Sequence, residues 1–345
     1  MNKDMKVALI GIGAMGKLIA EVLVDRNIRI VGAFDKDKNL VGKDLGKIIG
    51  LKRSLGVTID GNLDNLRKTD ADVAIYATVA TLKELLPQIL PAIKGRIKKI
   101  ISTNEELCYP WYLAEAEEID KLAKRYGVTV FGTGVNPGFT ADVLPVALTS
   151  LCHEVTNVEI KRVVDLSPYS IQDMRMWGIG LSIEEWRKLA QEKKIGQIGM
   201  KGSVYYVADS VGVKLDEVTE ELEPITAKVR RKGHYVIVEP GRVACFKQKI
   251  TALAKGKEFI SYTMIGDLDP RAEKINAPGV TISIIGKPNI NVELKGTSFG
   301  SEGAIATTAR IVNMLPVIME APAGLITQNR IAIGPCCKYP SLIKA

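Results

Sequence analysis

The sequence predicts an α/β protein whose N-terminal half is a parallel sheet with helices wound on both faces. Three observations lead there. From Val7 to Gly134, apolar runs of strand length alternate with amphipathic segments of helix length. A glycine-rich turn joins the first run to the first helix, and an acidic residue closes the second run. After the turn-forming Asn136-Pro137-Gly138, longer strand-like runs take over, which is the texture of an α+β domain.

In the first half the expected strands are residues 7–10, 28–34, 73–77, 99–103 and 129–132. Between them, 14–24, 82–93 and 111–126 carry apolar residues three and four apart, as helices covering a sheet must. In the second half, strands are expected at 155–165, 235–238, 247–253, 258–265, 281–286 and 291–296, several of them antiparallel, with helices at 182–192 and 201–211. A last helix, capped by Ser298 or Ser301 and running through 304–314, is apolar enough to return to the first domain.

The chain has 345 residues, more than one core usually organises. The expected division is residues 1–140 for the first domain, 141–298 for an α+β substrate and dimerisation domain, and 299–345 for the returning helix and tail. Apolar residues make up 46% and charged residues 25%, which excludes a disordered chain. The five cysteines form no CxxC, so neither a disulfide framework nor a zinc cage is expected, and a reducing cytoplasm fits. Gly11, Gly13 and Gly16 interrupt the first apolar run, against a secretory leader, and no run reaches the roughly 18 residues of a membrane span. The net charge of +8 is scattered among acids with no basic run interleaved with aromatics. Nucleic acid is therefore not an expected partner; a small anion is.

The turn reads Gly11-Ile12-Gly13-Ala14-Met15-Gly16, between a strand and a helix, the dinucleotide-binding fingerprint of a Rossmann domain. Gly11 permits the tight turn, Gly13 lets the backbone approach a pyrophosphate, and Gly16 lets the helix lie close to the strand. The backbone N–H groups at Ala14, Met15 and Gly16 then face the phosphates. Asp35, about 20 residues on, stands where a carboxylate binds ribose hydroxyls. It favours NAD, whereas Lys36 and Lys38 can neutralise the 2′-phosphate of NADP, so dual use is open. Thr78, in the loop after the third strand, is expected along the cofactor.

In an open parallel sheet, ligands bind past the carboxyl ends of the strands. There Ser102-Thr103-Asn104-Glu105-Glu106 brings two carboxylates near the expected nicotinamide position. On an extended segment only one of them can face the cleft. A desolvated carboxylate there can act as a general base, while an acid turned away suits a helix N-terminus. The turn at 132–139 can present the Asn136 amide and the Phe139 ring, or can serve as a hinge. Arg162, sharing a strand with Asp165 and followed by Arg175, can bind a carboxylate bidentately. His153 and His234 have no partner at metal-ligand spacing, so no metal is expected.

These pieces, with Ala321-Pro322-Ala323-Gly324-Leu325 after the last helix, resemble the 2,4-diaminopentanoate dehydrogenases and native amine dehydrogenases, a dihydrodipicolinate reductase-like group. The resemblance covers nearly the whole chain. It implies oxidative deamination, with a hydride passing to C4 of a nicotinamide and the imine hydrolysed to a ketone and ammonia, or reductive amination in reverse. It further implies a proton-transferring glutamate, Glu106 or Glu105, with Glu106 favoured. Asn136, near the cofactor, and Phe139 then line the amine pocket, and Arg162 holds a substrate carboxylate. Gln197 and Gly202 stand where relatives are expected to carry histidine and glutamate, which weakens any inference about substrate. A homodimer is the default assembly. The competing expectations are a reductase of a cyclic imine or carbonyl, disfavoured by the lack of a paired-histidine motif followed by lysine, and a dinucleotide sensor without turnover.

Overall fold

The computed structural model describes residues 5–273, 277–296 and 303–336. Two compact units emerge, one of Met1–Gly138 with Ala304–Ala345, the other of Phe139–Gly303. The strands, in chain order, are β1 (Lys6–Ile10), β2 (Arg29–Phe34), β3 (Ile59–Asp60), β4 (Val73–Tyr76), β5 (Lys99–Ser102) and β6 (Thr129–Gly132). In the second unit follow β7 (Glu154–Asp165), β8 (Glu217–Thr226), β9 (Arg231–Lys232), β10 (Ile237–Val238), β11 (Val243–Ala254), β12 (Lys257–Asp267), β13 (Gly279–Lys287) and β14 (Ile290–Leu294). The chain then returns to the first unit for β15 (Gly324–Ile326).

The first unit is a seven-stranded sheet ordered β15-β6-β5-β4-β1-β2-β3, with every recorded pairing parallel. Alternation along β1 shows why both faces are covered. Val7 and Leu9 enter one apolar cluster, Ala8 and Ile10 the other. Helix Ala14–Asp25 supplies Ile19, Ala20 and Leu23 to the first cluster, while helices Leu82–Ile93 and Glu115–Tyr126 supply Leu85, Ile89 and Ile119 to the second. The late helix, Gly303–Glu320, adds Ile311, Val312, Leu315 and Ile318 to the first cluster, so the returning helix completes the first sheet. Its cap at Ser298 or Ser301 lies outside the described residues. With strands wound by helices on both faces, this is the doubly wound architecture that the alternating pattern predicts.

The second unit is a six-stranded mixed sheet, β14-β13-β7-β12-β11-β8, antiparallel except for the β7–β12 pair, with β9 and β10 as a separate hairpin. Along β7, Val158, Ile160 and Arg162 are buried while Glu159 and Lys161 are exposed, the alternation of a sheet covered on one face. Helix Val143–Thr149 covers part of that face, placing Leu144 and Leu148 against Val280, Ile282 and Ile284 of β13.

Several short or polar elements differ from expectation. β3 and β15 are too brief to leave a periodic signal. β8 reads EVTEELEPIT, an acidic edge strand whose proline lies on an unshared rim, and it was invisible to an apolar-run criterion. Helix 111–126 begins only at Glu115, because Pro110 and the turn after it precede the first regular hydrogen bonds.

Candidate active site

The glycine turn has the geometry its spacing implies. Gly11 sits at φ +87°, donates its N–H to the Phe34 carbonyl at 2.8 Å, and has no room for a Cβ, which would lie 2.4 Å from the Ala77 oxygen. A Cβ on Gly16 would come within 1.9 Å of the Gly11 oxygen, so only glycine lets the helix approach the strand this closely. Gly13 differs: a Cβ there would meet no protein atom within 4 Å. The space beside it is open. Helix Ala14–Asp25 starts at Gly13 without a side-chain cap or an acid in its first turn, leaving its N–H groups and positive dipole end for an anion.

A cavity of about 430 Å³ opens beside this turn, lined by Gly11, Gly13, Asp35, Lys36, Asp60 and Thr78 among others. Asp35 Oδ2 accepts the Ile12 N–H at 2.6 Å and its Oδ1 accepts the Asp37 N–H at 2.8 Å. These bonds fix the carboxylate while leaving lone pairs for hydroxyl groups. Asp60, which no sequence pattern indicates, is the second residue of the two-residue strand β3. The backbone of Asn62 and the side chain of Asn65 donate to its two oxygens at 2.8 and 2.7 Å, and these bonds hold its pKa below the usual carboxylate value. A glycine cradle, a free helix start and a fixed carboxylate together fit a dinucleotide.

The two acids after β5 occupy unlike settings, but for a different reason than alternation. The segment is not extended: Glu105 is in the helical region and Glu106–Cys108 forms a short 3₁₀ turn. Glu106 is half-buried, and its Oε2 accepts the Leu82 N–H at 2.6 Å, at the start of helix Leu82–Ile93. Burial chiefly, helped by Glu115 and Glu84, raises its pKa against the opposing Leu82 bond. It thus holds the position of a helix N-terminal acid. Glu105 is partly exposed one residue earlier, its carbonyl accepting the Cys108 N–H at 3.3 Å.

The turn after β6 is held from beneath. Gln328 donates to Thr133 Oγ1 at 2.6 Å and accepts from Arg310 at 2.7 Å, and Thr307 Oγ1 accepts the Val135 N–H. Asn136, in the first unit, is partly exposed and follows the buried run 128–135. Phe139 opens the second unit, also partly exposed, and its carbonyl accepts the Leu144 N–H at 2.9 Å.

Arg162 is only 5% exposed on β7, between Met264 and Val280 of the neighbouring strands. Its Nε is buried without a hydrogen-bond partner, and among the described residues no carboxylate forms an ion pair with it. Asp165 instead accepts the Ser167 N–H, and Arg175 is exposed. Gln197 is buried and paired through its backbone with the Gln248 side chain, at 2.7 and 3.0 Å.

The chain as a whole is similar to proteins of named activity. The family model for the 2,4-diaminopentanoate dehydrogenase C-terminal domain matches residues 139–339. The 2,4-diaminopentanoate dehydrogenase of Acetoanaerobium sticklandii is 33% identical over 332 residues, spanning 94% of this chain and 92% of the relative. The chain belongs to the 2,4-diaminopentanoate dehydrogenase family. An amine dehydrogenase of Streptomyces virginiae is 23% identical, covering 94% of this chain and 95% of that protein. The solved amine dehydrogenase of Mycobacterium smegmatis superposes with a TM-score of 0.86 at 23% identity, over 96% and 97% of the two chains, and so shares the fold. Membership makes this chain a dehydrogenase of the class acting on CH–NH2 groups, with a nicotinamide dinucleotide as cofactor.

For a 2,4-diaminopentanoate dehydrogenase family member, the glycines carry separable predictions. Gly13→Ala meets nothing in the protein, so its melting temperature should match wild type while NADH affinity, measured by fluorescence titration, falls roughly tenfold or more. Gly16→Ala should instead destabilise the fold by about 1–3 kcal/mol in urea unfolding, the usual range for overpacking.

Glu106 carries a pH signature. Because its pKa is raised in the folded state, the stability it confers is complete below 4.5, its ordinary value, and is lost as pH rises through the raised value. Glu106→Gln removes that dependence. The melting temperature of the variant relative to wild type should therefore climb between pH 4 and pH 7, and a constant difference would contradict the burial of this carboxyl.

Proposed function

We propose that the chain oxidatively deaminates a short diamino acid, converting 2,4-diaminopentanoate to 2-amino-4-oxopentanoate and ammonia, and aminates ketones in reverse. The observation carrying the choice of an amino acid over a simple amine is the buried guanidinium of Arg162, whose Nε has no hydrogen-bond partner among the described residues. A desolvated cation without a counter-ion is costly, and a planar fork of donors suits a carboxylate. A substrate carboxylate supplies the missing anion.

When bound, the nicotinamide supplies the hydride acceptor. Glu105 serves as the proton-transfer group in this reading, because Glu106 is committed to the Leu82 N–H. The Glu105 carboxylate takes a proton from the substrate ammonium, freeing the nitrogen lone pair to drive hydride loss from the adjoining carbon. Water adds to the iminium carbon so formed. Glu105, having released its first proton to solvent, accepts one from that water and passes it to the nitrogen, and ammonia departs as the hydroxyl releases its proton to solvent and the carbonyl forms. Asn136 and Phe139 line the amine pocket.

NAD is the preferred cofactor in this reading. Asp35 and Asp60 both line the cavity, and a 2′-phosphate would meet two fixed carboxylates. Lys36, lining the same cavity, leaves NADP usable at lower affinity. A cytoplasmic homodimer completes the proposal, the composition, five cysteines with no CxxC, suiting a reducing compartment.

The experiment is dinucleotide reduction with 2,4-diaminopentanoate and with an amine lacking the carboxylate, using NAD and NADP separately. The diamino acid should be oxidised with release of ammonia, more efficiently with NAD. Glu105→Gln should lower kcat about 10²–10⁴-fold, the range for a lost general base, whereas Glu106→Gln, whose amide oxygen still accepts the Leu82 N–H, should stay within about tenfold of wild type. Arg162→Met should raise KM for the diamino acid roughly 10- to 100-fold, as for a lost charge-assisted hydrogen bond, and leave the carboxylate-free amine unaffected. Reduction of a cyclic imine without ammonia, or no turnover of any amine, would overturn the reading.

A further inference from the structure

Asn104 is fully buried between the two loops that the proposed chemistry uses. Its amide nitrogen donates to the Val79 carbonyl at 2.7 Å and to the Thr81 carbonyl at 2.9 Å. Its amide oxygen accepts the Leu107 N–H at 2.9 Å, and its backbone N–H donates to Ser102 Oγ at 3.0 Å. Ser102 Oγ in turn donates to the Tyr76 carbonyl at 3.0 Å, at the end of β4. The neighbours fix the orientation of the amide: two carbonyls demand the NH2 and one N–H demands the oxygen.

On one side of this amide lies the loop after β4, where Thr78 and Val79 line the dinucleotide cavity. On the other lies the turn that carries Glu105 and Glu106 and continues into Leu107. A second pair of bonds spans the same gap, from Glu106 N–H to the Ala80 carbonyl at 3.3 Å and from Leu82 N–H to Glu106 Oε2. Besides these links the two loops are joined by the β4–β5 pairing and by apolar packing that includes Val79, Leu82 and Leu107. Aspartate has the same shape but donates nothing, and leucine neither donates nor accepts, so neither can bridge both loops.

We propose that Asn104 is a positioning residue, setting the distance between the cofactor-lining loop and the acidic turn and thereby the placement of Glu105 toward the reacting amine. The inference rests on the reading of Glu105 given above, and its assay is chosen to be legible without it. NADH binding requires no amine. A wild-type protein that binds NADH but oxidises no amine would defeat the proposed function while leaving the role of Asn104 in shaping the cofactor loop measurable.

The test compares wild type with Asn104→Asp, and with Ile284→Ala as a control destabilised in the buried face of β13, in an apolar cluster of the second unit that contains neither loop. Asn104→Asp loses both donated bonds, so NADH should bind about tenfold or more weakly by fluorescence titration, the effect of two ordinary hydrogen bonds. Its kcat for amine oxidation should fall, and the acidic limb of the kcat–pH profile should move upward, because a new negative charge beside the acids disfavours their ionised form. The control should lose thermal stability with NADH affinity and pH profile unchanged. If Asn104→Asp does not fold, Asn104→Ser, which leaves the site neutral, takes its place in the NADH titration with the same expected weakening. Affinity, kcat and pH profile all equal to wild type in the folded variant would overturn the proposal, as would an identical shift in the control.

Discussion

The close approach of the first helix to the first strand is the constraint on which the site depends. The space between Gly16 and the Gly11 carbonyl admits no side chain, and this contact sets where helix Ala14–Asp25 begins and which way its uncapped N–H groups point. The turn would have to widen to admit even one methyl group at Gly16, displacing the cradle at Gly13. The apolar residues behind it, Ile19 and Leu23 packed with Val7 and Leu9, hold the helix against that displacement. Packing energy spent deep in the core thus appears at the surface as a backbone-lined opening for a phosphate.

The acids illustrate how a local conformation decides between two chemically identical side chains. Glu105 and Glu106 are neighbours in sequence, and a 3₁₀ turn rather than an extended strand separates their directions. Glu106 meets the positive end of helix Leu82–Ile93, where its bond to Leu82 satisfies a donor that the helix itself cannot. Burial still makes its ionisation harder, so it is held by a hydrogen bond and strained by desolvation at once. Its carboxylate is thereby tied to the start of a helix, while the backbone of Glu105 opens the 3₁₀ turn.

What the sequence revealed and what it concealed follow from the range over which each signal acts. The long apolar strands and the glycine fingerprint are contiguous, so β6 and helix Leu82–Ile93 appear with the limits expected of them. Asp35 was legible because its distance along the chain from the fingerprint is fixed by one helix and one strand. Asp60 and Asn104 were not, since their importance comes from residues brought beside them by the fold: Asn65 and the cavity for one, Val79, Thr81 and Leu107 for the other. The acidic edge strand β8 escaped because solvent on its exposed positions erases the apolar periodicity that reveals a central strand. The choice between Glu105 and Glu106 required the backbone angles of the turn, which no spacing rule supplies.

The second unit buries a charge of its own. Along β7 the buried face carries Val158 and Ile160 and then Arg162, a cation where the pattern calls for a third aliphatic residue. An ammonium in such surroundings can shed its proton and become neutral, whereas a guanidinium keeps its charge and therefore its need for an anion. Met264 and Val280 on the adjoining strands cannot answer that need. In the proposed reading a substrate carboxylate offsets the cost of that buried charge, so a substrate without the group would leave the penalty in place.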